Sequence, residues 1–481
     1  MQASHCPAPS DGAAPRGLGL AVGLFTLLWV AGIYLYAGRG ELLAEDFKNL
    51  HEAAQFERWQ DALALEREPL RPLHHVIFYA LARLSEPSPA WTRLPSFLLH
   101  LGSCWLVFRL AGALGAGARG QRAALLLFVL FPGVIALVTP AAVSGPGRAF
   151  FVLAALLAFL HGRRLATTLC FLLALAFHQG AIVLPALFAA WIVTHPTPGG
   201  VRALARRLAD PLVSVPAALS VLYLVYQTFF RPQRFHGANS LASLPANTVR
   251  GALSLFPEPV RVACVEAFRG HAGTLAVVLA GLFFAVLAAA GLRLFVRGSP
   301  LARWVLLAVA LELLLPILTT GFAQRYAYCS SGLVAAGLGA WLAPHARRRL
   351  PALAVLGLLW AADSVRAAHE YRAICARARA VLDDCRRIRA EVGQELPIAV
   401  LDLPESAGRE QEILFFSLGF TEALELYHVP GRWVAWRSQA AAARTTSRVY
   451  QPPERLAEAR RSPGILVLDY DPTLGRLAFA H

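Results

Sequence analysis

Acidic, basic and imidazole side chains lie together in the polar stretch that follows the first apolar run of this chain. The candidates are two neighbouring carboxylates, Glu45 and Asp46, and a basic group made of Arg71, His74 and His75. A carboxylate can take a proton from an attacking hydroxyl group, and the arginine fork matches the oxygens of a phosphate. These residue types would suit transfer of a group from a phosphate ester. A solvated amphipathic connector without chemistry would have the same composition.

The spacing of apolar residues predicts the element that carries the carboxylates. Apolar side chains recur at helical spacing and form one stripe: Leu43, Phe47, Leu50, Ala54, Trp59 and Leu63. This pattern predicts a helix that lies on the membrane surface. Asp46 would lie beside the stripe and Glu45 nearly opposite, which favours Asp46 as a base. If the helix starts at Asp46, either carboxylate could serve.

Further polar candidates follow the ends of later apolar runs. They are Arg148, His178, Gln179, Arg325, Tyr326 and Tyr328. Arginine next to an apolar wall is well placed to hold a lipid phosphate. We expect these side chains to contact a substrate on the same membrane face as the first loop.

The composition identifies the class of protein. Of 481 residues, 57% are hydrophobic and 16% are charged, whereas soluble domains contain about 25% charged residues. The net charge of +15 comes almost entirely from arginine, since Lys48 is the only lysine, and many of the arginines flank apolar runs. We therefore predict an α-helical polytopic membrane protein and no nucleic-acid partner.

A membrane span needs about 20 apolar residues, and this criterion, relaxed for short buried helices, predicts about eleven spans. They are residues 17–37, 94–115, 122–140, 148–161, 165–178, 180–194, 211–230, 272–292, 303–320, 327–343 and 350–365. Arginines concentrate in alternate short loops, which predicts an inside N-terminus and an outside C-terminus. The arginine-rich composition suggests a bacterial protein of the inner membrane.

This topology divides the chain into three parts. Residues 1–16 form an inner N-terminal tail, and 17–365 form the transmembrane part, with large outer loops at 38–93 and 231–271. Residues 366–481 have the composition of a soluble domain. A charged helix over 366–395, strands at 398–404 and 464–470, and an amphipathic helix at 409–427 predict a small α/β domain on the outer face.

The chemistry of a lipid-linked sugar needs few residues. A phosphate is already a good leaving group, so one base that activates the acceptor would give inversion through an oxocarbenium-like state. Arginines would stabilise the departing phosphate. A divalent metal could help, but the residues define no ligand set, and none of the seven cysteines has metal-site spacing.

At these residues the chain resembles the polytopic C-type glycosyltransferase superfamily. Five features occur in order: Glu45-Asp46 after the first span, Arg-Pro-Leu at 71–73 with RLPSFLLHLGSCWLVFRLAGALG (93–115), FPGVIALVTPAAVSGPGR (131–148), AFHQGAIVLPALFAAW (176–191) and QRYAYCSSGL (324–333). Their order is similar to that in the branch related to protein O-mannosyltransferases and their tetratricopeptide-bearing relatives. No tetratricopeptide repeat is visible here.

The resemblance implies a transferase that uses a polyprenyl-phosphate sugar. It implies Asp46 or Glu45 as the base, and Arg325 with its tyrosines near the lipid phosphate. The chain departs from the family in two places. Its acidic motif is Glu-Asp rather than Asp-Glu or Asp-Asp, and His178-Gln179 replaces a common Lys-Glu at the hairpin tip.

We therefore expect a membrane glycosyltransferase that acts on the outer face, with membrane lipids around it and a glycan, lipid or protein as acceptor. Two other functions are compatible with the sequence. One is a transporter or flippase of lipid-linked saccharides, for which Glu312 would be the main intramembrane acid. The other is a membrane scaffold that displays the outer domain.

Overall fold

The computed structural model describes most of the chain. The described residues are 16–38, 40–43, 45–64, 71–84, 88–134, 143–196, 198–230, 248, 251, 253–257, 260–264, 274–319, 327–342, 346–393, 395–401, 403, 406–407, 413–414, 420–436, 465–472 and 474–479. Some side chains within these ranges, including that of Glu45, are also outside the description.

Long helices dominate the described part. They are α1 (Arg16–Gly38), α2 (Glu45–Ala54), α3 (Pro72–Leu84), α4 (Pro89–Ala113), α5 (Ala118–Leu130), α6 (Ser144–Leu160), α7 (Arg164–Phe177), α8 (Leu184–Thr194), α9 (Gly200–Leu208), α10 (Pro211–Phe230), α11 (Thr274–Arg297), α12 (Pro300–Thr319), α13 (Tyr328–Leu342), α14 (Ala346–Val392) and α15 (Phe420–Leu426). Short 3-10 helices cover Trp59–Leu63, Pro132–Val134 and Gln179–Val183. Several helices start at proline, whose missing N–H costs nothing in the first turn.

Several of these helices suit a membrane. By length and composition, three helices of the described part could cross it: Gly17–Ala37, Pro89–Ala113 and Arg349–Val392. A fourth span would be the pair Gly200–Leu208 and Pro211–Tyr226, which is bent by 57°. Shorter apolar helices cover Ser144–Leu160, Arg164–Phe177, Gln179–Thr194 and Tyr328–Leu342. A helix lies at each predicted apolar run, and the number eleven stays a prediction.

The centre of the bundle is formed by α4, α5, α6 and α13, which pack against one another. Helices α1 and α14 lie against α5 on one side, and α7, α8 and α12 extend the bundle on the other. Helices α5 and α13 approach each other closely. A Cβ atom built on Gly120 would lie 2.3 Å from the Gly339 carbonyl oxygen, so only glycine allows this contact.

The packing of α2 corrects the prediction of a helix on the membrane surface. Helix α2 begins at Glu45, and its apolar side chains Phe47 and Leu50 are buried by protein. The covering elements are α3 and α15, which both pack on α2. Trp59 and Leu63 do not continue the stripe: they belong to a separate 3-10 helix and are exposed. A periodic pattern shows that one face is apolar, but not which surface covers it.

The chain after α13 also differs from the prediction. The last predicted span and the charged helix that follows it form one 47-residue helix, α14. No proline interrupts it after Pro351, and it ends at Gly393, which has φ 79° and takes the position that favours glycine after a helix. The predicted helix over 409–427 is wrong in its first half, because Ile413–Leu414 pairs with Ser406–Ala407.

The C-terminal part contains six described strands, of which four form one sheet and two form a separate pair. The strands are β1 (Ile398–Leu401), β2 (Ser406–Ala407), β3 (Ile413–Leu414), β4 (Trp433–Trp436), β5 (Leu466–Asp471) and β6 (Arg476–Phe479). Their order in the sheet is β4-β1-β5-β6, with β1 parallel to both neighbours and β6 antiparallel to β5. The sheet packs through β6 on the distal part of α14, and β4 contacts α15.

Candidate functional site

Asp46 lies in the first turn of α2 and is enclosed by protein. Its Oδ2 accepts a hydrogen bond of 3.1 Å from the Leu43 amide, and its own amide donates one of 2.8 Å to the Leu43 carbonyl. The side chain is 1% exposed. The expectation that this carboxylate reaches the lipid boundary is therefore wrong, because the chain before α2 folds back over it. The Glu45 side chain is outside the described residues.

Arg93 of α4 binds the backbone of the segment that leads to Asp46. Its guanidinium donates hydrogen bonds to the carbonyls of Ala37 (3.2 Å), Gly40 (2.9 Å) and Glu41 (2.7 Å). It also bonds the Tyr371 hydroxyl of α14 at 3.0 Å. The side chain is fully buried and interacts electrostatically with the Asp46 carboxylate. Arg93 was not among the predicted site residues, although a charged residue inside an apolar run is a signal for a buried contact.

A second contact ties the loop to the C-terminal part of the chain. The Tyr427 hydroxyl donates a 2.5 Å hydrogen bond to Glu41 Oε1, which also accepts from the Leu42 amide at 2.9 Å. Burial, followed by the nearby Glu41 carboxylate, raises the pKa of Tyr427, so the phenol remains a donor. The Tyr427 ring meets Phe47 edge to face, and His51 lies 3.3 Å from Glu425 of α15.

The basic group of the first loop lies at the start of α3. His74 and His75 are buried in its first turn, and Arg71 precedes the helix, with its carbonyl accepting from the His75 amide at 3.1 Å. Burial, aided by Arg71 and His75, holds the pKa of His74 well below 6.5. His74 is therefore neutral at pH 7, and its ring packs on Phe78.

Arg148 has a carboxylate partner. Its Nη2 lies 2.6 Å from Glu312 Oε2, and both side chains are buried between α6 and α12. Cys329 of α13 also interacts with both charges. This ion pair neutralises the guanidinium inside the apolar helices. Both charges stand in apolar runs of the sequence, and such charges usually pair with each other.

The hairpin that contains His178 and Gln179 sits over this ion pair. His178 caps the 3-10 helix Gln179–Val183, with Nδ1 accepting from the Gly180 amide at 2.9 Å. A Cβ atom built on Gly180 would lie 2.3 Å from Arg148 Nη1, so glycine is needed for the guanidinium to fit. The structure thus brings His178 and Arg148 into one region and gives His178 a capping role.

Tyr328 begins α13 and points into the bundle. Its hydroxyl pairs with His100 Nδ1 of α4, and the two rings pack around Phe128. Tyr328 is 3% exposed. Arg325 and Tyr326, which were expected beside it at the lipid phosphate, lie outside the described residues.

Two clusters therefore emerge from the described residues. One contains a carboxylate held beside a guanidinium in the first loop, and such a carboxylate can accept a proton. The other is the neutralised Arg148–Glu312 pair under the hairpin. Among the residues whose placement is given, no group of three or more His, Cys, Asp or Glu side chains could hold a metal ion.

Comparison with known proteins identifies the fold. The sequence matches no protein-family model and no curated protein. The crystal structure of ArnT from Cupriavidus metallidurans bound to undecaprenyl phosphate is similar, with a TM-score of 0.52 and 15% identity over 96% of this chain and 94% of ArnT. The apo state of the same ArnT gives a TM-score of 0.51 and 14% identity over 95% and 94%. The chain therefore has an ArnT-like fold along almost its whole length.

Proposed function

We propose that this protein is an integral-membrane glycosyltransferase of the C type that uses a polyprenyl-phosphate sugar. The observation that carries the proposal is the fold shared with ArnT, a glycosyltransferase of this type, over 96% of the chain. ArnT has been crystallised with undecaprenyl phosphate. The similarity extends through both membrane and C-terminal parts, so it is not limited to a generic helical bundle.

The proposed reaction uses one protein base. The base takes the proton of an acceptor hydroxyl while that oxygen attacks the anomeric carbon from the side opposite the phosphate. The bond between the anomeric carbon and the phosphate oxygen breaks, and polyprenyl phosphate leaves with the electron pair. The configuration at the anomeric carbon is inverted. No general acid is needed, because the leaving group is already a stable anion.

We assign the base to Asp46, which the acceptor hydroxyl reaches only when the chain that covers this carboxylate is displaced. Its carboxylate is fixed by the Leu43 amide and lies within electrostatic reach of Arg93. A neighbouring positive charge favours the ionised form of a carboxylate, which is the form that can accept a proton. Glu45, one residue earlier in the same first turn, is the alternative base. Arg71, His75, Arg325 and Tyr326 are proposed to bind the donor.

The orientation and the partners complete the proposal. The arginine-rich loops of the sequence support an inside N-terminus, with residues 366–481 on the outer face. The acceptor is then met on the outer face of the membrane. The finer assignment within the superfamily is a relation to the protein O-mannosyltransferase branch, which rests on the order of the sequence motifs.

The decisive experiment replaces each carboxylate in turn. We expect Asp46→Asn to lower the transfer rate about 10²–10⁴-fold, since this is the usual cost of a lost base, while donor binding stays within a few-fold. Glu45→Gln should do less. The assay is transfer from labelled polyprenyl-phosphate sugars by purified protein, with donor binding measured separately.

Asp61→Asn is the matched control. Asp61 lies in the same loop and accepts a hydrogen bond of 2.9 Å from the amide three residues earlier, as Asp46 does, but it is partly exposed. Its variant should turn over normally. A large effect of Glu45→Gln with a normal Asp46→Asn would reverse the assignment. Normal turnover in both would remove the base from this loop.

The buried Arg148–Glu312 pair supports a second candidate, a transporter of lipid-linked saccharides, since transporters place charges within the bundle. The same purified protein distinguishes the two. A transferase converts donor and acceptor in detergent, where no compartments exist. A transporter leaves the sugar on its lipid in detergent and moves it only in sealed vesicles.

A further inference from the structure

Four parts of the chain that are distant in sequence meet at the Arg93 guanidinium. They are the end of α1, the start of the first outer loop, α4 itself and the outer part of α14. Three of the contacts are backbone carbonyls, within five residues of one another, that lie just before Asp46. A side chain that binds several carbonyls of one short segment fixes the path of its backbone rather than a single rotamer.

Steric fit shows that this path is closely constrained. Gly40, whose carbonyl binds Arg93, lies against Cys375 of α14: a Cβ atom built on Gly40 would be 2.8 Å from Cys375 Cβ. The loop is therefore held between Arg93 on one side and α14 on the other. Tyr371, one helical turn before Cys375, is a further partner of the guanidinium.

Arg93 also supplies a positive charge near the Asp46 carboxylate. The charged and titratable groups around Asp46 come from several elements: Arg93 on α4, Tyr371 and Cys375 on α14, and Glu41 in the loop with Tyr427 bound to it. Among these groups Arg93 carries the positive charge. Because the region is buried, the attraction between this charge and the Asp46 carboxylate is screened less than it would be in water.

We propose that Arg93 is a positioning residue that sets both the place and the ionisation of the first-loop carboxylate. This inference rests on the proposed function for its kinetic part. Arg93 binds backbone carbonyls just before Asp46 and interacts electrostatically with the Asp46 carboxylate, so its effect on the reaction is exerted through Asp46.

The kinetic test uses Arg93→Gln and Arg93→Lys. In Arg93→Gln, the loss of the positive charge should move the acidic limb of the plot of kcat against pH to higher pH by about 1–3 units. This is the size of the effect that an arginine has on the pKa of a neighbouring carboxylate. Misplacement of the base should lower kcat about 10²-fold, with KM for the donor within about threefold. Arg93→Lys keeps the charge but lacks the fork, so its pH limb should stay near that of the wild type while kcat falls.

Arg389→Gln is the matched control. Arg389 also clamps carbonyls, those of Gly393 (2.9 Å) and Leu396 (2.8 Å), and its guanidinium lies over Trp433. It is 18 residues beyond Tyr371 on the same helix, about 27 Å along the axis. Its loss should lower thermal stability without moving the pH limb.

Hydrogen exchange provides a readout that does not need activity. The amides of Leu42, Leu43 and Asp46 should exchange faster in Arg93→Gln than in wild type, and those of the C-terminal sheet should not. If the wild type transfers no sugar, the proposed function fails, and exchange still tests the positional role. Should Arg93→Gln fail to insert, Tyr371→Phe, which removes one guanidinium partner, should raise exchange in the same segment. Unchanged exchange together with an unmoved pH limb overturns the proposal.

Discussion

The buried ion pair between Arg148 and Glu312 allows a quantitative test of what holds the bundle together. The two charges are 2.6 Å apart, between α6 and α12, and Glu312 is fully buried. Removing one partner leaves the other charge in an apolar environment, which typically costs about 3–5 kcal/mol. We therefore expect Arg148→Met and Glu312→Gln each to cause a large loss of thermal stability.

The double variant separates an ion pair from two independent residues. With both charges replaced by uncharged side chains of similar size, no buried charge remains, and the loss should be much smaller than the sum of the single losses. Arg164→Met is the matched control. It breaks the Arg164–Asp210 pair of 3.2 Å, in which the arginine is 64% exposed, and such surface pairs contribute about 0–1 kcal/mol.

The measurement is the thermal unfolding midpoint in one detergent at one scan rate, because unfolding of membrane proteins is often irreversible. Additive losses in the double variant, or single losses as small as that of the control, would refute the argument. Donor affinity measured well below the midpoint then shows whether Arg148 also binds substrate. A double variant that recovers stability but not donor affinity would place the guanidinium at the donor. Recovery of both thermal stability and donor affinity would show that the Arg148 guanidinium has a structural role only.

Two further predictions concern packing and pH. Gly120→Ala should destabilise the bundle by about 1–3 kcal/mol, the usual cost of overpacking, because its Cβ would meet the Gly339 carbonyl at 2.3 Å; Gly23→Ala, with nothing within 4 Å, should be neutral in the same thermal assay. His74 has a pKa well below 6.5 in the folded protein, so the unfolded chain binds more protons below pH 6.5 than the folded protein does. The free energy of unfolding therefore falls as the pH drops below 6.5, by about 1.4 kcal/mol per pH unit until the folded pKa is reached. His74→Phe should remove this acid sensitivity of the unfolding midpoint, and an unchanged pH dependence would contradict the assignment.

The helices of the bundle were largely predictable from the sequence, because each apolar run is bounded by its own local signals. The run predicted over 148–161 corresponds to Ser144–Leu160, and that over 165–178 corresponds to Arg164–Phe177. Both helices adjoin the Gly162–Arg163 turn, where Gly162 has a positive φ of 69°. Signals of this kind act within a few residues, so no knowledge of the rest of the fold is needed to find them.

The surroundings of the first loop could not be predicted in the same way. The prediction placed Phe47 and Leu50 correctly on the apolar face of α2, but Ala54, Trp59 and Leu63 are exposed. Part of what covers this face is α15, about 370 residues later in the chain. A membrane surface and a protein surface both select apolar residues at helical spacing. For the same reason, Asp46 was expected at a lipid boundary and is instead buried beside Arg93.

The polar residues of α4 could have been used to predict which face of this helix is buried. Arg93, Ser96, His100 and Ser103 recur every three or four residues along this apolar helix, and all four are buried. Leu98 and Trp105, on other faces, are more than half exposed. A polar face within an apolar helix is costly in lipid, so it must turn towards protein. The spacing alone therefore indicates which face of α4 points into the bundle. It does not indicate that the arginine meets the first-loop carbonyls and the histidine meets Tyr328, because those contacts depend on how the helices pack.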